Sequence, residues 1–498
     1  MIALKNRPPT DVIASVLIFS FLLGVSALSG FLLSLFDVYA AAFVVGSLLL
    51  VLCLVIDFSK LFWLNVICAF LLVGQLQYFA GVGKAFWLNY LIAAIAFIRA
   101  ILLAFSLSRN QHEGLKKSRL LAFSFLFFFI TFLTLLASSV INLSPLMQVL
   151  LSIKDYSLLW GYLFAVSAAV LAQRHLDSLI KYLPWLIIIQ FPVVLYQRFF
   201  IAANRGGDSA WDSIVGLFGG DPNGGGASGA MATVTVVTMC SVIARWKNKQ
   251  VGNMFCLLVI AVALATIMLA EVKFAMVMIL VGVMYVYRGE LTRKPIQVLV
   301  VMAISLFAIF AILVAYQSQF AGARSKASYS LEDYISVTLD RNSDSQQINF
   351  QTGEMGRIAA VKFWWQQHDM GSPVKFVIGH GIGASRFGQT VNGEAASQYS
   401  FKIARSSLAI VLWESGFIGA CSLILALCLA LLAAMRKESE NINSEMSFAY
   451  TTAGVMILMV MIGLAYNTDF VNVVQIQLLA VLMMARLLPS LPAGIHAD

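Results

Sequence analysis

Apolar runs of about 18 to 22 residues, each enough to cross roughly 30 Å of hydrocarbon as a helix, recur along nearly the whole chain. Backbone in lipid finds no water for its N–H and C=O groups, so runs of this kind must become helices packed against one another. Short segments of alternating polarity, the mark of a membrane β-barrel, are absent. The chain has 498 residues, 60% hydrophobic and 11% charged, with a mean hydropathy of +0.87. That composition lies far outside the soluble globular range. The expected fold is an all-α polytopic membrane protein with about fourteen transmembrane helices.

The spans are expected near 12–30, 38–56, 61–80, 86–107, 120–141, 156–172, 182–202, 227–244, 253–270, 272–287, 296–316, 406–434, 448–466 and 470–486. Lys and Arg in short loops stay on the cytoplasmic side. One side here carries Lys5, Arg7, Lys60, Arg109 to Arg119, Arg174, Lys181, Arg245 to Lys249, Arg288 to Lys294, Arg436, Lys437 and Arg486. Both termini are therefore expected in the cytoplasm, with 204–226 and 317–404 outside it. The net charge of +9 is mostly this topological signal, so no nucleic-acid partner is expected. All six cysteines fall in expected spans, which leaves the external loops without disulfides. No cleavable signal peptide is expected, because the first apolar stretch runs on into further spans without a small-residue cleavage site. The organisation reads as N-terminal spans 1–203, a glycine-rich loop 204–226, central spans 227–316, a large and mostly helical loop 317–404, and C-terminal spans 405–498.

Chemistry is expected where the lipid-soluble pattern breaks. The loop at 204–226 carries Arg205, Gly216, Asp221, Pro222 and Asn223, and follows Arg198 at the end of a span. Its glycines allow successive N–H groups to turn toward one anion, with a helix N-terminus immediately after. It reads equally as a re-entrant hairpin whose glycines only permit tight turns. Asp208, Asp212 and Asp221 are either general-base carboxylates or solvated loop acids. In the larger loop, Ile358, Val361 and Trp365 have the spacing of an amphipathic helix at the membrane surface, with Arg357 in its first turn facing either a ligand phosphate or Glu354. Gly379-His380-Gly381-Ile382-Gly383, with Arg386 just beyond, resembles an anion loop. His380 is a general base or a loop-stabilising side chain. Arg405 stands at the water–lipid boundary, and Glu414 about two and a half turns deeper, where a carboxylate must be paired or line a polar cavity. Glu271 and Lys273 mark an external turn, and Arg99 sits inside the fourth span with room to snorkel.

Three stretches carry a resemblance that covers roughly Gln197 to Gly419: Gly216-Leu-Phe-Gly-Gly-Asp-Pro-Asn223, Gly356-Arg357 ahead of Gly379 to Gly383, and Leu412-Trp-Glu-Ser-Gly416-Phe-Ile-Gly419. They resemble the O-antigen polymerase and O-antigen ligase superfamily of bacterial inner-membrane glycosyltransferases. Arg205 with Gly216, and Arg405 with Gly416, each show the arginine and glycine separated by ten residues that polymerases of this type share. Ligases place a His-Asn pair nine residues before the Glu, where this chain has Arg405-Ser406. The resemblance therefore implies a polymerase: a cofactor-free, metal-independent enzyme of glycosyltransferase-C-like architecture, acting at the periplasmic face on undecaprenyl-diphosphate-linked oligosaccharides. It also implies contact with membrane lipid, and a chain-length regulator and flippase of the same pathway as partners.

In the implied reaction a growing glycan leaves its lipid diphosphate and joins a hydroxyl of an incoming repeat unit. Guanidiniums suit the departing diphosphate because they bind bidentately and keep their protons. Arg357 and Arg405 are expected to lead that role, followed by Arg205, Arg198, Arg386 and Lys273, with Gly216, Asn223, Gly379, Gly381, Gly383 and Gly416 shaping the site. Hydroxyl activation would fall to Asp221, His380 or Glu414. The rival readings are a ligase that transfers glycan to lipid A-core and a flippase for lipid-linked oligosaccharides. A flippase is expected to show internal repeats and mid-membrane charges rather than one large external loop.

Overall fold

The structure, a computed structural model, describes residues 53, 55–107, 119–167, 173–204, 213–222, 226–291, 293–320, 348–349, 353–368, 373–388, 391–441 and 446–488. The expected span 12–30, most of 38–56, residues 321–347 of the large loop, Arg205, Asp208, Asp212 and Asn223 lie outside them. The chain divides into two compact units, Met1–Trp63 and Leu64–Asp498. The described part of the first is limited to Cys53 and 55–63.

From 61–80 onward each expected span overlaps a helix, except that 470–486 is divided between two helices and 168–172 lie outside the described residues. In chain order these are α1 Phe58–Tyr78, α2 Trp87–Leu107, α3 Arg119–Ile141, α4 Leu146–Ser167, α5 Gln173–Asn204, α6 Ser228–Lys247, α7 Asn253–Leu269, α8 Phe274–Tyr287 and α9 Pro295–Phe320. The large loop contributes the two-residue strands β1 Ile348–Asn349 and β2 Glu354–Met355, paired antiparallel, then α10 Arg357–Gln367 and α11 Pro373–Ile378. The C-terminal part holds α12 Ser407–Glu440, α13 Ser447–Tyr466, the single turn α14 Asp469–Asn472, and α15 Val474–Ala485. Among the described residues, 7 helices are long and apolar enough to cross a membrane: α1, α3, α5, α6, α9, α12 and α13. The chain is thus a helical, multi-pass membrane protein.

Boundaries move where polar side chains lower hydropathy yet are satisfied by protein. Helix α4 begins at Leu146, ten residues before the expected span, because its polar face is turned inward. Gln148 donates to the Ile382 carbonyl at 2.9 Å, and Asp155 is buried against Arg386. Helix α5 likewise starts at Gln173 and buries Asp177 against Arg486 at 2.6 Å.

The core centres on α6, buried from Ala230 to Ala244 and packed against α7, α8 and α13. Helix α12 runs along α3 and α13, with α10 and α11 packed against it. In lipid, helices associate through small residues and interhelical hydrogen bonds, each worth about 0.6–2 kcal/mol. Here the α12 seam offers Ala420, Ala426, Ala430 and Ala433, Ser124 donates from α3 to the Ala426 carbonyl at 2.7 Å, and Thr452 donates from α13 to Ser241 at 2.9 Å. Helix α9 instead exposes Ile296, Leu299, Ile304 and Phe307, as a lipid-facing helix does.

Helix α10 does not separate an apolar from a polar face as expected, because apolar side chains stand on both its sides. Ile358 and Trp365 are 45% and 60% exposed, while Ala359, Ala360 and Trp364 face the protein. The exposed side continues through Phe376 and Phe417, whose rings stack at 5.5 Å.

Candidate functional site

A cavity of about 290 Å³ opens where the start of α6, the α7–α8 turn, the head of α10 and the approach to α12 meet the α13–α14 connection. Its walls carry Lys273, Arg357 and Arg405 together with Glu271 and Asp469. Each cation is held by its own local chemistry. The Arg357 guanidinium lies 4.2 Å over the Tyr466 ring, and that ring stacks on Phe274 at 3.8 Å, so a cation–π platform takes the place of the Glu354 partner that helix spacing predicts. Glu354 instead pairs with Arg405 at 2.9 Å, and Arg405 Nε donates to the Met355 carbonyl. Strand β2 thereby aims Arg405 at the cavity.

The α6 N-terminus also faces this space through Gly226, Ser228 and Gly229. Its N-cap, Ala227, supplies no side-chain acceptor. An uncapped helix start presents N–H groups and the positive dipole end, which suits an anion.

Asp469 completes the wall. Its Oδ2 accepts from Asn467 Nδ2 at 2.7 Å, and the Asn467 carbonyl accepts from both Ser407 N and Ser407 Oγ, which ties the carboxylate to the segment bearing Arg405. Burial pushes the Asp469 carboxyl up to about 7, with Arg357 pulling the other way. A Cβ on Gly229 would lie 2.7 Å from Asp469 Oδ2, so a larger residue there would displace this carboxylate from its place against α6.

A second cluster lies deeper. Glu414, 0% exposed, accepts from Arg386 Nε at 3.0 Å, Ser385 Oγ at 2.9 Å and Tyr156 OH at 2.9 Å. Arg386 also pairs with Asp155, which Lys154 and Tyr90 contact in turn. Burial alone would lower the Arg386 pKa, but the Glu414 and Asp155 carboxylates hold it well above the ordinary arginine value. The cavity beside Asp155 and Tyr156 has room for about 20 Å³, the space of a single water. Glu414 is thus held by three donors away from the cationic cavity, while the buried Arg386 Nη2 has no hydrogen-bond partner among the described residues.

The glycine triplet has a structural explanation in α12. Gly416 breaks that helix with φ +68°, a left-handed conformation, and a kink in a membrane helix frees carbonyls that must find donors. The triplet supplies them: His380 N donates to the Trp413 carbonyl at 2.8 Å and Gly381 N to the Glu414 carbonyl at 3.1 Å. Gly379 N is spent on Lys375, and Ile382 N on Ser139. These N–H groups face protein acceptors and leave no cradle for an anion.

His380, 6% exposed, points its Nε2 at His368 Nε2, 2.9 Å away, between Trp364 and Trp413. His368 Nδ1 meets the Trp364 carbonyl, so it carries the proton. His368 Nε2 then accepts from His380, whose Nδ1 is left as a bare lone pair without a partner among the described residues. Burial, then His368 and Lys375, pull the His380 pKa down to about 3.

In the smaller loop, the described residues 213–218 pack inward while Gly226 lines the cationic cavity. Ser213 to Phe218 are buried, and Gln197 clamps the peptide at Gly216 by accepting from Val215 N and Gly216 N and donating to the Gly216 carbonyl. Asp221 is exposed. No protein-family model matches this chain, and no curated protein does.

Of the residues singled out by sequence, the structure therefore gathers Arg357, Arg405 and Lys273 around one cavity. Arg198 lies within electrostatic reach of Glu271 on its rim. Glu414 and Arg386 form the deeper pair, and Gly216, Gly379, Gly381 and Gly416 shape backbone turns. Gly383 packs on Ser152 of α4. Sequence reasoning missed Asp469, Tyr466, Asp155 and His368. The signal for Asp469 was Asn467-Thr468-Asp469, a short polar break between the last two apolar runs, overshadowed by the longer loops. Among the described residues no group of three or more His, Cys, Asp or Glu is placed to hold a metal ion.

Proposed function

We propose that this chain is a polymerase of undecaprenyl-diphosphate-linked oligosaccharide repeat units, transferring the growing glycan to an incoming lipid-linked unit at the periplasmic face of a bacterial inner membrane. The observation that carries the proposal is the convergence of Arg357, Arg405 and Lys273 with the uncapped α6 N-terminus on one cavity. A diphosphate leaving group needs fixed donors and positive charge where its own charge develops, and this set supplies both in preorganised form. Topology supports the same reading. With about fourteen spans and the basic short loops in the cytoplasm, the cavity would lie at the external ends of its helices, and the exposed Trp365 and Ile358 would sit at headgroup depth. Arg405-Ser406, in the place of a ligase His-Asn pair, favours polymerase over ligase.

The test is the profile of lipid-linked glycans in cells whose own copy is replaced by Arg405→Ala. Accumulation of single-repeat lipid intermediates at the external face is the expected result. Long lipid-linked polymer would point to a ligase, intermediates retained on the cytoplasmic face would point to a flippase, and an unchanged profile would remove the site from the reaction.

A further inference from the structure

We propose that Asp469 is the general base that takes the proton from the acceptor hydroxyl; this rests on the polymerase reading of the cationic cavity. The residues expected to serve as base are poorly placed. Glu414 is held by Arg386, Ser385 and Tyr156, His380 is buried against His368 and Trp413, and Asp221 is exposed outside the cavity lining. Asp469 is a carboxylate in the same wall as Arg357 and Arg405. Asn467 fixes its Oδ2, and among the described residues no hydrogen bond engages its Oδ1 in the cavity wall. The glycine at 229 gives the carboxylate its seat against the α6 N-terminus.

The step balances without a co-reactant. The acceptor O–H bond breaks and its proton passes to Asp469 Oδ1, while the freed oxygen bonds to the anomeric carbon of the growing glycan. The bond from that carbon to the diphosphate oxygen breaks, and the electron pair leaves on the diphosphate against Arg357, Arg405 and Lys273. Asp469 then returns its proton to bulk water through the cavity. A base works best when its pKa is near the working pH, and this carboxyl, pushed up to about 7, meets that condition. The charged and titratable groups facing it are Arg357 on α10, Arg405 ahead of α12, Glu271 and Lys273 in the α7–α8 turn, and Tyr466 at the end of α13.

The experiment uses the full chain in lipid nanodiscs, with lipid-linked repeat units extracted from cells lacking it as the probe. Elongation rate is followed from pH 5 to 9. Asp469→Asn is expected to lower the rate about 100-fold or more and to abolish the acid limb of the wild-type profile, while a thermal shift with undecaprenyl diphosphate persists. Asp469→Glu is expected to restore part of the rate. Elongation by Asp469→Asn within a few-fold of wild type, with the same acid limb, overturns the proposal. If Asp469→Asn misfolds, the wild-type profile decides, because a rate that does not fall toward acid pH overturns it as well. Failure of the polymerase reading looks different: wild type does not elongate the probe, or Arg357→Ala elongates it normally.

Discussion

Asp469, half-buried in the cavity wall, and His380, buried against His368 and Trp413, have pKa values that desolvation moves in opposite directions, and they make opposite contributions to stability. Asp469 titrates near 7 in the folded chain and near 3.9 when unfolded. The folded state therefore holds its proton more tightly, and stability falls as pH rises through that window. Removing the ionisable group removes the cost: Asp469→Asn is expected to melt higher than wild type at pH 8 in detergent, with the gain shrinking toward pH 4. An equal or lower melting temperature at pH 8 would mean that the carboxylate is not buried at a cost. His380 titrates near 3 when folded and near 6.5 when unfolded, so the unfolded state binds the extra proton and stability is lost as pH falls below about 6.5. His380→Gln should flatten that loss, up to about 1.4 kcal/mol per pH unit. Between pH 4 and 6.5 the two groups pull in opposite directions, so single variants rather than wild type reveal them in melting curves.

The element that organises both clusters is α12. Its kink at Gly416 turns the Trp413 and Glu414 carbonyls to the glycine triplet, and a Cβ at position 416 would press on the Ile378 and Gly379 backbone. Gly416→Ala combines that clash with a left-handed backbone and is expected to cost about 1–3 kcal/mol, read as a lower melting temperature; an unchanged melting temperature would show that the kink relaxes freely. The same element shows what can be read from sequence. Hydropathy found the helix and Arg405 at its mouth, because burial in lipid leaves a compositional trace. It did not reveal that Arg386 pairs with both Glu414 and Asp155, or that Arg405 pairs with Glu354, because pairings between residues 28 to 231 positions apart leave no local signal. The glycine triplet was legible as a backbone that must turn sharply, but glycine serves a helix clamp as readily as an anion cradle. Asp469 was hidden because a two- or three-residue polar break between spans has the composition of any turn.

At the scale of the whole molecule the account depends on sidedness. Arg357, Arg405, Lys273 and Asp469 come from parts of the sequence distant from one another, and they meet only if the ends of α6, α8, α12 and α13 that carry them face the same compartment. The six native cysteines lie in or beside the helices, so they would be replaced by Ser before single cysteines are introduced. An impermeant maleimide applied to intact cells is expected to label Ser397→Cys in the large loop and to spare Asn441→Cys at the far end of α12; the reverse pattern would place the cavity in the cytoplasm and end the periplasmic reading. The most direct test of the central claim, that this cavity holds the leaving diphosphate, is release of free undecaprenyl diphosphate from lipid-linked repeat units by the purified full chain. Wild type should release one lipid diphosphate for each glycan bond formed, and Arg357→Ala should release it about 100-fold more slowly or less. Release at the wild-type rate by the variant, or no release by wild type, would contradict the account.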